Sequence, residues 1–313
     1  MKIAFINKYQ NKVSRGAETF VYELSRRLSK NHQVDVISNI KYLDFFKKRY
    51  DILIPTNGRL QVFIVRKIAW LTGAKVIVSG QSGMGWDDKL NLLSFPNTFV
   101  ALTSKAALWA KNINPLVNIE TIPNGVDLYK FTQKGKIIKT SLKSPIVLAV
   151  GAFTEQKRLD LAIKAVSKLK NFSLLIVGGG GNLRNNLEEM GNAMLGNKFQ
   201  IISLPFDKMP EAYRVADVFT LPSASSEAFG NVLVEAMATN LPVVASDDPI
   251  RKEIVGDAGI LVDPINTEKY AVALKKGLDT DWGSKPRKQA EKFSWDIIAK
   301  QYEELFEKLI KEK

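Results

Sequence analysis

The sequence predicts an α/β protein of two doubly wound parallel-sheet domains, on three observations. Short apolar runs alternate with helical patterns along the chain. The alternation falls into two series with a polar stretch between them. With 313 residues, 45% hydrophobic and 25% charged, the chain is long enough to bury a sizeable core in each of about two domains.

In the first series Ile3 to Ile6, Val34 to Ser38, Ile52 to Pro55, Lys75 to Ser79 and Phe99 to Thr103 read as short buried strands. Between the first two, Glu18 to Ser29 reads as a helix, with Phe20, Leu24 and Leu28 on one stripe. Thr132 to Pro145, carrying Lys134-Gly135-Lys136 and Lys143-Ser144-Pro145, reads as the linker. The second series runs through Ile146 to Val150, Ser173 to Val177, Phe199 to Ser203, Val218 to Leu221, Pro242 to Ala245 and Gly259 to Val262. A final helix is expected from Trp295 to about Lys311, with Ser294 as its N-cap. Two Rossmann-like domains are therefore expected, at residues 1–135 and 140–294. Ligands of open parallel sheets bind beyond the carboxyl ends of the strands, so facing sheets make a cleft.

Composition removes several chemistries. There are no cysteines and one histidine, His32, in a polar turn read as surface. Disulfides, thiolate chemistry, Ser-His-Asp and Cys-His arrangements and histidine-based zinc sites are thereby excluded. The apolar start, Met1 to Asn7, is too short for a signal peptide, and no run approaches the roughly 20 apolar residues of a membrane span. A cytoplasmic protein is expected. The net charge of +13 is uneven: residues 1–130 hold 19 Lys and Arg against 9 Asp and Glu, or +10, which leaves +3 for the rest. Arg26-Arg27 with Lys30, Lys47-Lys48-Arg49 and Arg66-Lys67 are the clusters. Tyr42, Leu43, Phe45 and Phe46 beside Lys47 to Arg49 read either as an interfacial segment for an anionic membrane or as a solvated basic face over core aromatics. No nucleic-acid partner is expected, because no binding motif accompanies the charge.

The chemistry concentrates in Ser226-Glu227-Ala228-Phe229-Gly230-Asn231-Val232-Leu233-Val234-Glu235-Ala236-Met237-Ala238. An apolar run ending at Pro222 is followed by small residues, and Val232, Leu233, Ala236 and Met237 then recur at helical spacing, giving strand, loop and helix. Amides at a helix start carry partial positive charge, so Phe229, Gly230 and Asn231 are placed to hold phosphate. If Phe229 opens the helix, Glu235 lies about two turns in, roughly 9 Å along the axis. Glu227 and Glu235 then address different parts of one ligand, one the hydroxyls of a sugar ring and the other those of a ribose.

Further pieces fall in order: Arg15-Gly16-Ala17-Glu18, Pro123-Asn124-Gly125-Val126-Asp127 with Phe131, Val150-Gly151 with Lys157, Val177-Gly178-Gly179-Gly180, Ala216-Asp217, and Gly259-Ile260-Leu261-Val262-Asp263-Pro264. With the Glu-x7-Glu pattern, this set resembles the GT-B glycosyltransferases, most closely the retaining family 4 group, over nearly the whole chain. The resemblance implies two domains facing across a cleft, with the terminal helix crossing back to the first. It also implies transfer of a hexosyl unit from a UDP- or GDP-linked sugar to a hydroxyl of a glycan or lipid-linked acceptor, with retention of configuration. Glu227 and Lys157 would be catalytic, and Gly16, Gly151, Arg158, Gly178, Phe229, Gly230, Asn231 and Glu235 would bind the donor. Two departures stand out. The family's Arg after the glycine is Ala152 here, which leaves Lys157 with Arg158 or Arg15 to meet the diphosphate. The family's first-domain histidine is missing, and Gln81 or Asp87 are the candidates for its place. Asp279-Thr280-Asp281 reads as loop acids, and neither metal nor cofactor is expected, since Lys157 and helix-start amides neutralise diphosphate. Rival readings are a non-catalytic glycosyltransferase-like subunit and a sugar-nucleotide epimerase of the same fold.

Overall fold

The structure, a computed structural model, describes residues 1–10 and 16–311. The chain divides into two compact units, Met1–Gly125 with the C-terminal helix Trp295–Lys311, and Val126–Ser294.

The first unit contains β1 (Lys2–Ile6), α1 (Gly16–Leu28), β2 (Gln33–Ile37), α2 (Asp44–Lys48), β3 (Ile52–Pro55), α3 (Leu60–Thr72), β4 (Lys75–Ser79), α4 (Trp86–Leu93), β5 (Thr98–Ala101), α5 (Ser104–Ile113) and β6 (Asn118–Thr121). Its strands form a parallel sheet in the order β2-β1-β3-β4-β5-β6. Central strands are largely apolar and buried because helices cover both faces, whereas the edge strands β2 and β6 are half exposed. That polarity is why β6 escapes a search for apolar runs. On one face Phe20, Leu24 and Leu28 of α1 pack with Trp295, Ile298, Tyr302 and Phe306 of the C-terminal helix. On the other, Phe45, Val62, Val65, Leu92 and Ala110 of α2, α3, α4 and α5 cover the sheet. Each such side chain taken from water stabilises by about 1.5–3 kcal/mol.

The second unit contains β7 (Ile146–Val150), α6 (Leu159–Val166), β8 (Ser173–Val177), α7 (Arg184–Leu195), β9 (Phe199–Ile202), α8 (Met209–Arg214), β10 (Val218–Leu221), α9 (Asn231–Ala238), β11 (Val243–Ser246), α10 (Pro249–Val255), β12 (Gly259–Val262), α11 (Thr267–Asp279) and α12 (Lys285–Glu291). The sheet is again parallel, in the order β12-β11-β10-β7-β8-β9. Among the described residues no helix is long and apolar enough to cross a membrane.

The boundary lies at Gly125/Val126, earlier than the 135–140 expected, and Thr132 to Pro145 is not a linker. The amide of Val126 donates to Phe293 O at 2.8 Å, and Phe131 is buried with its ring 5.8 Å from that of Tyr213. Arg214 donates to Thr132 O and Lys136 O, and Arg287 to Leu128 O and Phe131 O, so side chains of the second unit pin the stretch along its length. Further along, Ile138 N donates to Glu211 O and Thr140 Oγ1 to Gln200 Oε1, so the polar segment is bonded to the second unit.

Two surface expectations also change. Arg27 is buried, paired with Glu23 at 2.5 Å and Asp296 at 2.8 Å, so it is not part of a solvated basic patch. His32 is only 13% exposed and sits 3.3 Å from Glu303 of the C-terminal helix.

Candidate active site

In the second sheet β7 is flanked by β10 and β8, so the order of travel reverses between β7 and β10. Loops leaving the carboxyl ends of such a neighbouring pair diverge and open a crevice at the switch point. The two residues expected to be catalytic lie on these two loops.

After β7 the chain passes Gly151 and forms a single 3-10 turn, Glu155–Lys157. The Lys157 methylenes lie across Gly151, 3.1–3.4 Å from where a Cβ would stand, so the missing side chain makes room for the lysine stem. After β10 the loop is held to that turn by Ala224 N donating to Gln156 O at 2.8 Å and Gln156 Nε2 donating to Ser226 Oγ at 3.2 Å. Lys157 Nζ donates to Glu227 Oε2 at 2.5 Å, with the two side chains 16% and 15% exposed. A cation and a carboxylate brought together from positions 157 and 227 are thus held at one strand end by short local contacts.

A residue that the sequence reading missed lies beneath this loop. Arg251 of α10 is fully buried and donates to Ala224 O at 2.9 Å, while its other terminal nitrogen meets Asp248 at 2.6 Å. Asp248 caps the same helix by accepting from Ile250 N and Arg251 N at 3.0 and 3.1 Å. Burial lowers the Arg251 pKa, and the carboxylates of Asp248 and Glu227 oppose that shift. The positive charge of Arg158 acts with burial in lowering it. Arg158 adopts the left-handed conformation (φ 49°) where the 3-10 turn passes into α6. The signal available in the sequence was Asp248-Pro249, a cap followed by a helix-starting proline, which places Arg251 in the first turn.

Other expected residues take different places. The helix starts at Asn231, not Phe229: Gly230 has φ 92°, a left-handed value that favours glycine, and α9 follows it. Phe229 is 2% exposed and packs edge-on against Phe293 at 5.8 Å, so its ring is core. Glu235 is then the fifth residue of α9, about 6 Å along its axis rather than 9. Its carboxylate is buried and accepts from Tyr213 OH at 2.7 Å. Burial pushes its pKa up to about 7 against the opposing effects of that hydrogen bond and of Lys130. The two glutamates therefore hold different partners, Lys157 and Tyr213. At Gly178 a Cβ would stand 1.9 Å from Gly151 O, so close packing of the loops after β7 and β8 explains that glycine without a ligand. Asp279 pairs with Lys275 at the end of α11, and Asp281 accepts from Gly283 N.

In the first unit Gly16 opens α1, while Arg15 lies outside the described residues. Beyond β1 and β3 an amide network forms: Asn7 Nδ2 donates to Glu18 Oε1 at 3.3 Å, and Asn57 Nδ2 to Asn7 Oδ1 at 3.3 Å. Gln81 exchanges two hydrogen bonds with Asn124, at 2.9 and 3.0 Å, and Asp87 pairs with Arg59. The neighbouring Asp88, which the sequence reading passed over, is 2% exposed, and burial pushes its pKa up to about 7 against hydrogen bonds from Asn91 and the Ser82 amide.

Known proteins bear on this arrangement. The chain is 35% identical over 170 residues to an uncharacterized glycosyltransferase of Methanocaldococcus jannaschii, covering 50% of this chain and 43% of that one. It is 30% identical over 198 residues to the phosphatidyl-myo-inositol mannosyltransferase of Mycolicibacterium smegmatis, covering 59% and 51%. It thus spans about half the length of these relatives. The Anabaena HepE structure solved with UDP-glucose superposes with a TM-score of 0.81 at 16% identity, over 98% of this chain and 100% of that one, so the two share the GT-B fold. Residues 131–294, which carry Lys157, Glu227 and Arg251, match the family described as glycosyl transferases group 1, and the chain belongs to that family.

Proposed function

We propose that this protein moves a hexosyl unit from a nucleoside diphosphate sugar to a hydroxyl of a glycan or glycolipid acceptor, with retention at the anomeric carbon and without a metal ion. The observation that carries the reading is the Lys157–Glu227 pair on the neighbouring loops after β7 and β10. With donor bound, Lys157 turns to the diphosphate, with Arg158 adding charge, and Glu227 is released to accept from the sugar hydroxyls. As the anomeric carbon–oxygen bond breaks, its electron pair passes to the diphosphate. The acceptor oxygen then bonds that carbon on the same face and gives its proton to the departing phosphate oxygen. No separate general base is needed. Glu235, steadied by Tyr213, supports the ribose end of the site. Relatives include a mannosyltransferase for phosphatidyl-myo-inositol and an N-acetylgalactosaminyltransferase for a diphospho-undecaprenol acceptor, which favours a lipid-linked acceptor and work at the cytoplasmic membrane face.

Binding and turnover across UDP- and GDP-sugars with EDTA present test the reading. Saturable binding or slow donor hydrolysis is expected, reduced about 100-fold or more in Lys157→Ala and in Glu227→Ala. Binding of no donor, or binding indifferent to both substitutions, sinks it.

A further inference from the structure

Helix α3 presents an outward stripe opposite to the usual polar pattern of a surface helix. Val62, Val65, Ile68 and Ala69 face the sheet, yet Leu60, Phe63, Trp70 and Leu71 on the other side are 69%, 46%, 78% and 64% exposed. These four positions and Lys67 recur at helical spacing, so they form one face. Helix α4 and the residues after it are tied to α3 and its cap at two points. Asn91 accepts from Arg59 N at 2.8 Å near the start of α3, and Arg66 Nε donates to Phe95 O at 2.6 Å one turn or more further on. Its own outer positions, Trp86, Lys89 and Leu93, with Phe95 just beyond, add exposed aromatic and aliphatic surface beside the stripe.

The charges within this face are mostly basic and sit at ring level. Lys67 Nζ lies 4.6 Å from the centre of the Phe63 ring and Lys89 Nζ 5.7 Å from that of Trp86. Arg66 adds a third cation, and Asp87 is taken by Arg59. Tryptophan and phenylalanine interleaved with lysine on an outward helix face match the boundary between headgroups and acyl chains, where rings are half buried and cations reach anionic lipid. A second copy of this chain is a poorer occupant, because a twofold contact sets the same patch against itself and brings Lys67, Lys89 and Arg66 toward their own copies.

We propose that the outer face of α3 and α4 is a docking surface for an anionic lipid bilayer. It is carried by other helices than the segment singled out in the sequence, of which Phe45 is core and Tyr42 half-buried while Leu43, Phe46 and Lys47 to Arg49 are exposed. The inference goes beyond the sugar-transfer reading, and its assay contains no sugar nucleotide, so either can fail without the other.

The test is sedimentation of the whole chain with vesicles of phosphatidylcholine, alone or with about one-third phosphatidylglycerol, together with tryptophan emission and sedimentation velocity without lipid. Binding to the anionic vesicles is expected, with a blue shift and weakening as salt rises. Trp70→Ser with Leu71→Ser is expected to weaken it by about tenfold or more, and Lys67→Glu by several-fold. Ile265→Ser with Val272→Ser, exposed apolar positions in the second unit, is expected to leave it unchanged. All these sites are exposed, and circular dichroism confirms that each variant is folded. Absence of vesicle binding, equal loss in both double variants, or a lipid-free dimer that Trp70→Ser with Leu71→Ser dissolves while vesicles stay unbound would overturn the proposal.

Discussion

The two units use the same device at the amino ends of their strands and, among the described residues, different side-chain networks at the carboxyl ends. In the first, Asp51 ahead of β3 accepts from Lys2 N at 2.7 Å while its own amide donates to Lys2 O at 2.8 Å. In the second, Asp217 ahead of β10 accepts from Ile146 N at 2.7 Å and donates to Ile146 O at 2.9 Å. Both clamps register the strand pair at which the sheet order reverses. At the other end, among the described residues, the first unit links the amides of Asn7, Asn57 and Gln61 to Glu18, whereas the second holds Lys157, Glu227 and a buried Arg251. The lesson is that the sheet fixes where a site can be, and loop residues fix what it can hold.

The most forceful way to break the contrast is Arg251→Ala. It strands Asp248 and the Ala224 carbonyl, and urea unfolding is expected to show a loss of about 3–5 kcal/mol. A loss under about 1 kcal/mol would mean that the charged end does not depend on a buried cation. Asp51→Ala and Asp217→Ala sharpen the shared half of the comparison: each is expected to cost about 1–3 kcal/mol, by similar amounts. A marked inequality would show that the two clamps are alike only in geometry.

The buried acids give a pH test in both units. Asp88 and Glu235 have folded pKa values raised to about 7, whereas unfolded carboxyls titrate near their ordinary values of 3.8 and 4.5. The unfolded state therefore loses its protons first. The contribution of these two acids to stability is greatest below the ordinary carboxyl range, falls as pH rises from there to about 7, and levels off above. Asp88→Asn and Glu235→Gln should each flatten that slope and stabilise the chain at pH 8 by roughly 1–2 kcal/mol, read from urea midpoints at several pH values. An unchanged slope in either variant removes that residue from the account. Where the functional effect is largest the stability effect is expected to be moderate: Lys157→Ala and Glu227→Ala should each lower stability by about 1–3 kcal/mol, less than Arg251→Ala, because each leaves a mostly buried partner without its counter-charge.

Much of the fold was legible in the residues because parallel strands covered on both faces are near-continuous apolar runs, as β3 and β7 are throughout and β1 and β8 are after their first residue. Edge strand β6 was not, since Asn118 and Glu120 face partly to water. The charged residues of the site were legible as types, because Glu227 and Lys157 belong to recognisable patterns. Arg251 was not, because nothing in a helix pattern tells a solvated arginine from one folded under a loop. Phe229 was misread for a related reason: a ring beside Gly230 at a loop end suits either a helix start or a core contact, and only Phe293, 64 residues on, decides it.

By itself the sequence determined the two-series α/β architecture, the family pattern and the kinds of charge available to the site, because periodicity, turn residues and side-chain chemistry are local properties. The tertiary structure alone decided that Lys157 meets Glu227, that Glu235 turns to Tyr213, that Thr132 to Pro145 belongs to the second unit and that the face of α3 turned to water is apolar. Each depends on burial or on partners distant along the chain, and a local pattern carries no record of which distant group will lie within hydrogen-bond reach.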